Sequence, residues 1–75
     1  MININKLKGT MAEKGITQGE LALSMNLSRT TMSFKIRKGK FSAQEANKIV
    51  DILQIPKDLA VEIFLPSVLH STQNV

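Results

Sequence analysis

The chain has 75 residues and no cysteine, a length that suits one small domain and a composition that excludes disulfide bonds and thiolate metal sites. Its net charge is +4, and no apolar run approaches the roughly 20 residues that cross a bilayer. The N-terminus lacks the apolar stretch of a signal peptide, and His70 has no second histidine with which to bind a metal. These features predict a soluble, cytoplasmic domain with no metal, cofactor or small-molecule ligand.

The first two helices are predicted from residues that favour helix ends. Asn5 is expected to cap a first helix that runs to about Lys14, with Gly15 just after its end. Thr17-Gln18-Gly19-Glu20 has the pattern of a capping box and opens the second helix. Asn26, which tolerates a left-handed backbone, follows that helix.

Two longer helices are predicted next. Ser28 is expected to cap a third helix that runs from Arg29 to about Lys38, and Gly39 ends it. Ser42 begins a second capping box, and the apolar residues behind it recur at helical spacing. This pattern predicts an amphipathic fourth helix.

The rest of the chain adds one short helix and a tail. Pro56 is expected near the start of the fifth helix and Pro66 at its close. The sequence contains no internal repeat and no clear alternating strand pattern. It therefore predicts an all-α domain of five helices over residues 1–66 and a flexible C-terminal tail over 67–75.

Positive charge is concentrated in the first half of the chain. Residues 1–40 carry eight cations against two carboxylates, whereas residues 41–75 have a balance of −2. Residues 29–40 hold five cations and no carboxylate. Such a block repels itself, and a polyanion would relieve the repulsion through counterion release. The alternative is a solvated surface run.

The second and third predicted helices suit a helix-turn-helix. About three residues join them, so they must cross at a steep angle. Ala22 is small enough for close approach of the two helices, and Leu27 can fill the corner between them. In this arrangement the second helix of the pair enters the DNA major groove.

A projection of the third helix at 100° per residue separates a core face from an outer stripe. Met32 and Ile36 fall on the core face, and the candidate base contacts on the outer stripe are Arg29, Thr30, Ser33 and Phe34. Arginine can donate two hydrogen bonds to guanine, and the hydroxyls can exchange hydrogen bonds with base edges. The phenylalanine would cover a thymine methyl group, or would instead pack against a neighbouring helix or a partner subunit.

A second set of residues is suited to the DNA backbone. The candidate phosphate contacts are Gln18, Ser28, Lys35, Arg37, Lys38 and Lys40. The glutamine lies at the start of the second helix, where free amides attract an anion, although a solvated side chain is the alternative. The serine is first of all a helix cap. The four cations lie at or beyond the end of the third helix.

Two segments, Gln18-Gly19-Glu20-Leu21-Ala22 and Asn26-Leu27-Ser28-Arg29-Thr30-Thr31-Met32-Ser33, resemble the Cro/C1-type helix-turn-helix family of bacterial and phage regulators. The short chain is most similar to a phage or prophage Cro-type repressor. The resemblance implies a lambda-repressor-like five-helix domain that binds paired half-sites as a dimer. By position, it implies base contacts at Arg29, Thr30, Ser33 and Phe34 and a phosphate contact at Gln18. Two departures are Asn26, where a turn glycine is usual, and Phe34, where a polar or charged residue is more frequent.

No arrangement of residues typical of catalysis stands out, so an enzyme is not expected. The leading hypothesis is a sequence-specific transcriptional regulator, a repressor that binds a double-stranded operator with an inverted repeat. The alternative is an interaction module, an antitoxin or antirepressor, that acts on a protein partner. A symmetric homodimer is predicted, with its interface at Leu59, Ile63, Phe64 and Leu65, away from the cationic block.

Overall fold

The computed structural model describes residues 2–64, where five α-helices follow one another and no strand occurs. The helices are α1 (Ile4–Lys14), α2 (Gln18–Ser24), α3 (Arg29–Lys38), α4 (Ala43–Leu53) and α5 (Lys57–Phe64). The prediction of an all-α, five-helix chain is confirmed for these residues. Leu65, Pro66 and the predicted tail over 67–75 lie outside them. Within residues 2–64, none of the helices has the length and apolar character that crossing a bilayer requires.

The helix starts follow the predicted caps, with one correction. Side-chain oxygens accept a backbone N–H at three predicted caps, Thr17, Ser28 and Ser42. The first helix, however, is capped by Asn3 and not by Asn5, because Asn3 Oδ1 accepts the N–H of Lys6 at 3.1 Å. Asn3 also donates its backbone N–H to the carbonyl of Ile63 at 2.8 Å. That bond ties the start of α1 to α5.

Left-handed residues end the helices and turn the chain. Gly15 and Gly39 have φ of 73° and 66°, as their predicted positions after α1 and α3 require. Asn26 has φ of 59° and lies in the turn between α2 and α3. Gln54 ends α4 with φ of 52°, a turn that the sequence analysis did not predict.

Every helix contributes to one hydrophobic core. Its buried apolar members are Leu7, Met11, Leu21, Ala22, Met25, Met32, Ile36, Ile49, Leu53, Ile55, Ile63 and Phe64. Among the described helices, α2 and α3 have the most extensive contact, while α1 packs on α4 and α5. The core therefore holds one side of α3 against α2 and leaves its other side on the surface.

Candidate nucleic-acid interface

Helix α3 presents two faces of different chemistry. Met32 and Ile36 are buried in the core, as the helical projection predicts. Arg29 and Thr30 are exposed, and 49% of Phe34 is open to solvent. The core therefore does not use the outer stripe, whose side chains are available to a ligand.

Ser33 connects this stripe to the start of α2. Its hydroxyl donates a hydrogen bond to Gln18 Oε1 at 3.1 Å, and both residues are half-buried. Because the amide oxygen of Gln18 accepts this bond, its NH₂ group remains available as a donor. This hydrogen bond joins a residue predicted to contact a base, Ser33, to one predicted to contact a phosphate, Gln18.

Arg29 lies against Gly19, the second residue of α2. A Cβ atom built on Gly19 would lie 3.8 Å from Arg29 Cδ and Nε and 3.9 Å from Cζ. Gly19 is not among the site residues predicted from the sequence. Glycine is a poor helix former, so its place in the first turn of α2 is the signal that the sequence offered.

Ser28 is occupied by its role as a helix cap. Its Oγ accepts the backbone N–H of Thr31 at 3.1 Å, and its hydroxyl donates to Thr31 Oγ1 at 2.8 Å. Both hydrogen bonds belong to the first turn of α3. A phosphate contact at Ser28 would have to compete with them or use the remaining lone pair.

The four candidate phosphate-binding cations fall into two groups. Lys35 is half-buried and forms an ion pair with Glu45 of α4, with Nζ 3.1 Å from Oε2. Arg37, Lys38 and Lys40 are exposed. Lys35 is thus already neutralised within the protein, whereas the other three can meet an external anion.

The acidic partner of Lys35 is held by several groups at once. The backbone N–H of Ser42 donates to Glu45 Oε1 at 2.8 Å, which closes the capping box of α4. This bond is the main cause of a lowered pKa at Glu45, and the neighbouring Lys35 lowers it further, while burial acts in the opposite direction. Glu45 stays ionised, so the pair fastens the end of α3 to α4.

Phe34 and Lys38 are neighbours on the outer face, one turn apart. Lys38 Nζ lies 5.9 Å from the centre of the Phe34 ring. At that distance the cation interacts weakly with the face of the ring. The exposed aromatic ring and a cation are therefore presented together.

The predicted dimer interface needs correction. Ile63 is fully buried and Phe64 is only 6% exposed, so both belong to the core of the single chain and do not offer a surface to a partner. The sequence alone did not show that α1 packs against this face of α5. Leu59 is half-buried, and Leu65 lies outside the described residues.

A groove of about 1060 Å³ opens beside the C-terminal end of α3. Apolar side chains of the loop before α4 and of α4 and α5 line it, among them Phe41, Val50 and Val61. Four lysines also line it: Lys35, which is paired with Glu45, and Lys38, Lys40 and Lys57. The groove combines an apolar lining with unneutralised positive charge.

Comparison of the chain with protein-family models, with curated proteins and with solved structures gave no match. Within residues 2–64, no cluster of metal-ligating side chains could hold a metal ion.

Proposed function

We propose that this protein is a sequence-specific DNA-binding transcriptional regulator of the Cro/C1 type, with α2 and α3 as its helix-turn-helix. The observation that carries the proposal is the division of α3, whose apolar side is buried while its polar and cationic side is exposed. A cationic helix that did not pack on a core would have no buried apolar side. A helix held by the core with one side free suits insertion into the major groove.

In the proposed complex the outer stripe of α3 recognises base edges. Arg29 would donate two hydrogen bonds to a guanine, and Thr30 and Ser33 would exchange hydrogen bonds with neighbouring bases. Phe34 would lie against a thymine methyl group. Each of these groups is exposed or half-buried and lies within the first six of the ten residues of α3.

The backbone contacts would come from residues that flank this stripe. The NH₂ group of Gln18 would donate to a phosphate at one edge, and Arg37, Lys38 and Lys40 would bind phosphates at the other. Lys35 takes a smaller part, because Glu45 neutralises it. These contacts set affinity and salt dependence but carry no sequence information themselves.

We propose that two copies bind an inverted repeat, with α3 helices in successive major grooves about 34 Å apart. With Ile63 and Phe64 buried, the surface left for a symmetric interface on α5 includes the half-buried Leu59 and Val61. By covering promoter DNA, such a dimer would act as a repressor. Sedimentation tests this point: a strict monomer both free and on a selected duplex would contradict it.

The decisive experiment is selection of binding sites from random-sequence duplex DNA, followed by titration with salt. We expect enrichment of a short inverted repeat, bound more tightly than bulk DNA and with a steep salt dependence. Weak binding with no enriched sequence would contradict the proposal. It would show that the cationic surface attracts DNA without reading it.

The groove favours one second candidate function, a protein-interaction module with the role of an antitoxin or antirepressor. Its apolar lining and the cations Lys38, Lys40 and Lys57 suit an acidic, apolar segment of a partner protein. Leu23 and Phe34 are the large apolar side chains that the described residues expose. A synthetic peptide with leucines on one helical face and glutamates beside them tests this candidate, with a glutamine-substituted peptide as control. Equal or absent binding of the two peptides would exclude it.

A further inference from the structure

Gly19 is a glycine inside a helix, and its neighbour is a candidate base contact. The Arg29 side chain lies in van der Waals range of the position where a side chain at residue 19 would begin, with Cδ and Nε 3.8 Å from a Cβ built there. Gly9 of α1 provides a comparison, since a Cβ built on it has nothing within 4 Å. A glycine within a helix is therefore not distinctive by itself in this chain. Gly19 differs from Gly9 because the Arg29 side chain lies beside it.

No ion pair among the described residues holds Arg29 in that place. The ion pairs among the described residues join Lys6 to Glu62 and Lys35 to Glu45, and neither includes Arg29. Glu20 is next to Gly19 in sequence, but its carboxylate accepts the backbone N–H of Thr17 at 2.8 Å in the capping box. The guanidinium therefore keeps its hydrogen-bond donors for an external acceptor while its side chain lies along α2.

We infer that Gly19 is a positioning residue: the absence of a side chain at position 19 directs Arg29 and so determines which base pair that arginine selects. The inference rests on the proposed function. The inference extends that function because it makes recognition of this base pair depend on Gly19, a residue of α2 that need not touch a base. A long side chain at position 19 would occupy the path of Arg29 and turn the guanidinium away.

The distances predict a graded response to substitution. Gly19→Ala adds only the Cβ atom, which would be in ordinary van der Waals contact with Arg29 at 3.8 Å. We expect this variant to keep the affinity and base preference of the wild type. Gly19→Leu and Gly19→Gln extend into the space that Arg29 occupies, and both residues are good helix formers, so the helix itself is retained. Gly9→Leu and Gly9→Gln are the matched controls.

The test is a double-mutant cycle between Gly19→Leu and Arg29→Ala, measured on the selected duplex and on duplexes altered one base pair at a time. We expect Gly19→Leu to bind the selected duplex roughly tenfold more weakly and to lose discrimination at a single base pair, the one affected by Arg29→Ala. In the Arg29→Ala background, Gly19→Leu should have no further effect. The base preference is a ratio of affinities, so a reduced folded fraction does not change it.

Three results would overturn the inference. One is an equal loss from Gly19→Leu in the Arg29→Ala background, which would mean that the leucine clashes with DNA directly. Another is unchanged base preference in both Gly19→Leu and Gly19→Gln. The third needs no DNA: nuclear Overhauser contacts between the Gly19 α-protons and the Arg29 δ-protons should be present in the free protein, and their absence would remove the basis of the inference. Failure of the wild type to select any sequence would instead contradict the proposed function.

Discussion

Ser33 donates its hydroxyl hydrogen to Gln18 Oε1 at 3.1 Å and thereby joins the outer face of α3 to the first residue of α2. The bond has a consequence for recognition. Since the amide oxygen of Gln18 accepts the bond, its NH₂ group is directed away from Ser33. In the proposed complex, a contact between this NH₂ group and a phosphate would therefore fix how deeply α3 enters the major groove.

We expect Gln18→Ala and Ser33→Ala to be energetically coupled. Either substitution breaks the same hydrogen bond, so the double variant should lose less binding free energy than the sum of the single losses, by about 0.5–1.5 kcal/mol. Gln18→Ala should weaken binding to all duplexes to a similar extent, because a phosphate contact carries no sequence information. Fluorescence anisotropy on the selected duplex measures the cycle. Gln44→Ala, at an exposed residue of α4, is the control, and strict additivity would contradict the coupling.

Salt dependence should separate Lys40 from Lys35. Lys40 is exposed, so Lys40→Gln should make the negative slope of log K against log[salt] shallower by about 0.9, the value for one phosphate contact. Lys35 is paired with Glu45, so Lys35→Gln should change the slope less and reduce the free energy of unfolding by about 1 kcal/mol. The exposed Lys48 on α4 provides a control, Lys48→Gln. Equal slope changes at positions 35 and 40 would contradict the distinction.

Features set by a few adjacent residues were predictable from the sequence. Thr17, Ser28 and Ser42 cap the helices that follow them because each supplies a side-chain oxygen where backbone N–H groups lack partners. Asn26 adopts the left-handed backbone that the short turn needs. The buried and exposed sides of α3 followed from 3.6-residue periodicity.

Features set by distant residues were not predictable. Asn3 and Asn5 are equally suitable caps, and Asn3 is used where its backbone N–H also reaches the Ile63 carbonyl. The pairing of Lys35 with Glu45 depends on how α3 meets α4. The burial of Ile63 likewise depends on packing in the tertiary fold. In each case the local pattern allows two outcomes, and a contact from another helix decides between them.

Stability in acid should depend on Glu45. Its pKa lies below the ordinary value of 4.5, chiefly because of the hydrogen bond from the Ser42 N–H, with Lys35 adding to the effect. A lowered pKa in the folded state means that the stabilisation is complete above pH 4.5 and is lost as the pH falls through the folded value. Glu45→Gln should therefore have a smaller free energy of unfolding than the wild type at pH 7. That free energy should also fall less than the wild-type value when the pH is lowered.

Urea unfolding from pH 7 to pH 3 measures this difference. Lys35→Gln should show an intermediate acid dependence, because the Ser42 bond to the carboxylate remains. If Glu45→Gln and the wild type lost stability in parallel as the pH fell, the assignment to Glu45 would be wrong.

Phe34 should contribute to DNA recognition but little to stability. Because Phe34 is 49% exposed and Lys38 Nζ lies 5.9 Å from the centre of its ring, Phe34→Ala should change the free energy of unfolding by less than about 1 kcal/mol. Phe64→Ala, at a buried phenylalanine, should cost about 3–5 kcal/mol. The contrast between the two variants separates surface from core.

A duplex in which deoxyuridine replaces one thymine at a time tests what Phe34 contacts. Deoxyuridine lacks only the methyl group, so the wild type should bind one such duplex about fourfold more weakly, the value of one buried carbon. Phe34→Ala should bind that duplex and its thymine counterpart equally, because the ring that covers the methyl group is gone. If the wild type were insensitive to every deoxyuridine substitution, Phe34 would not contact a thymine methyl group. Its exposed ring would then be available to a protein partner.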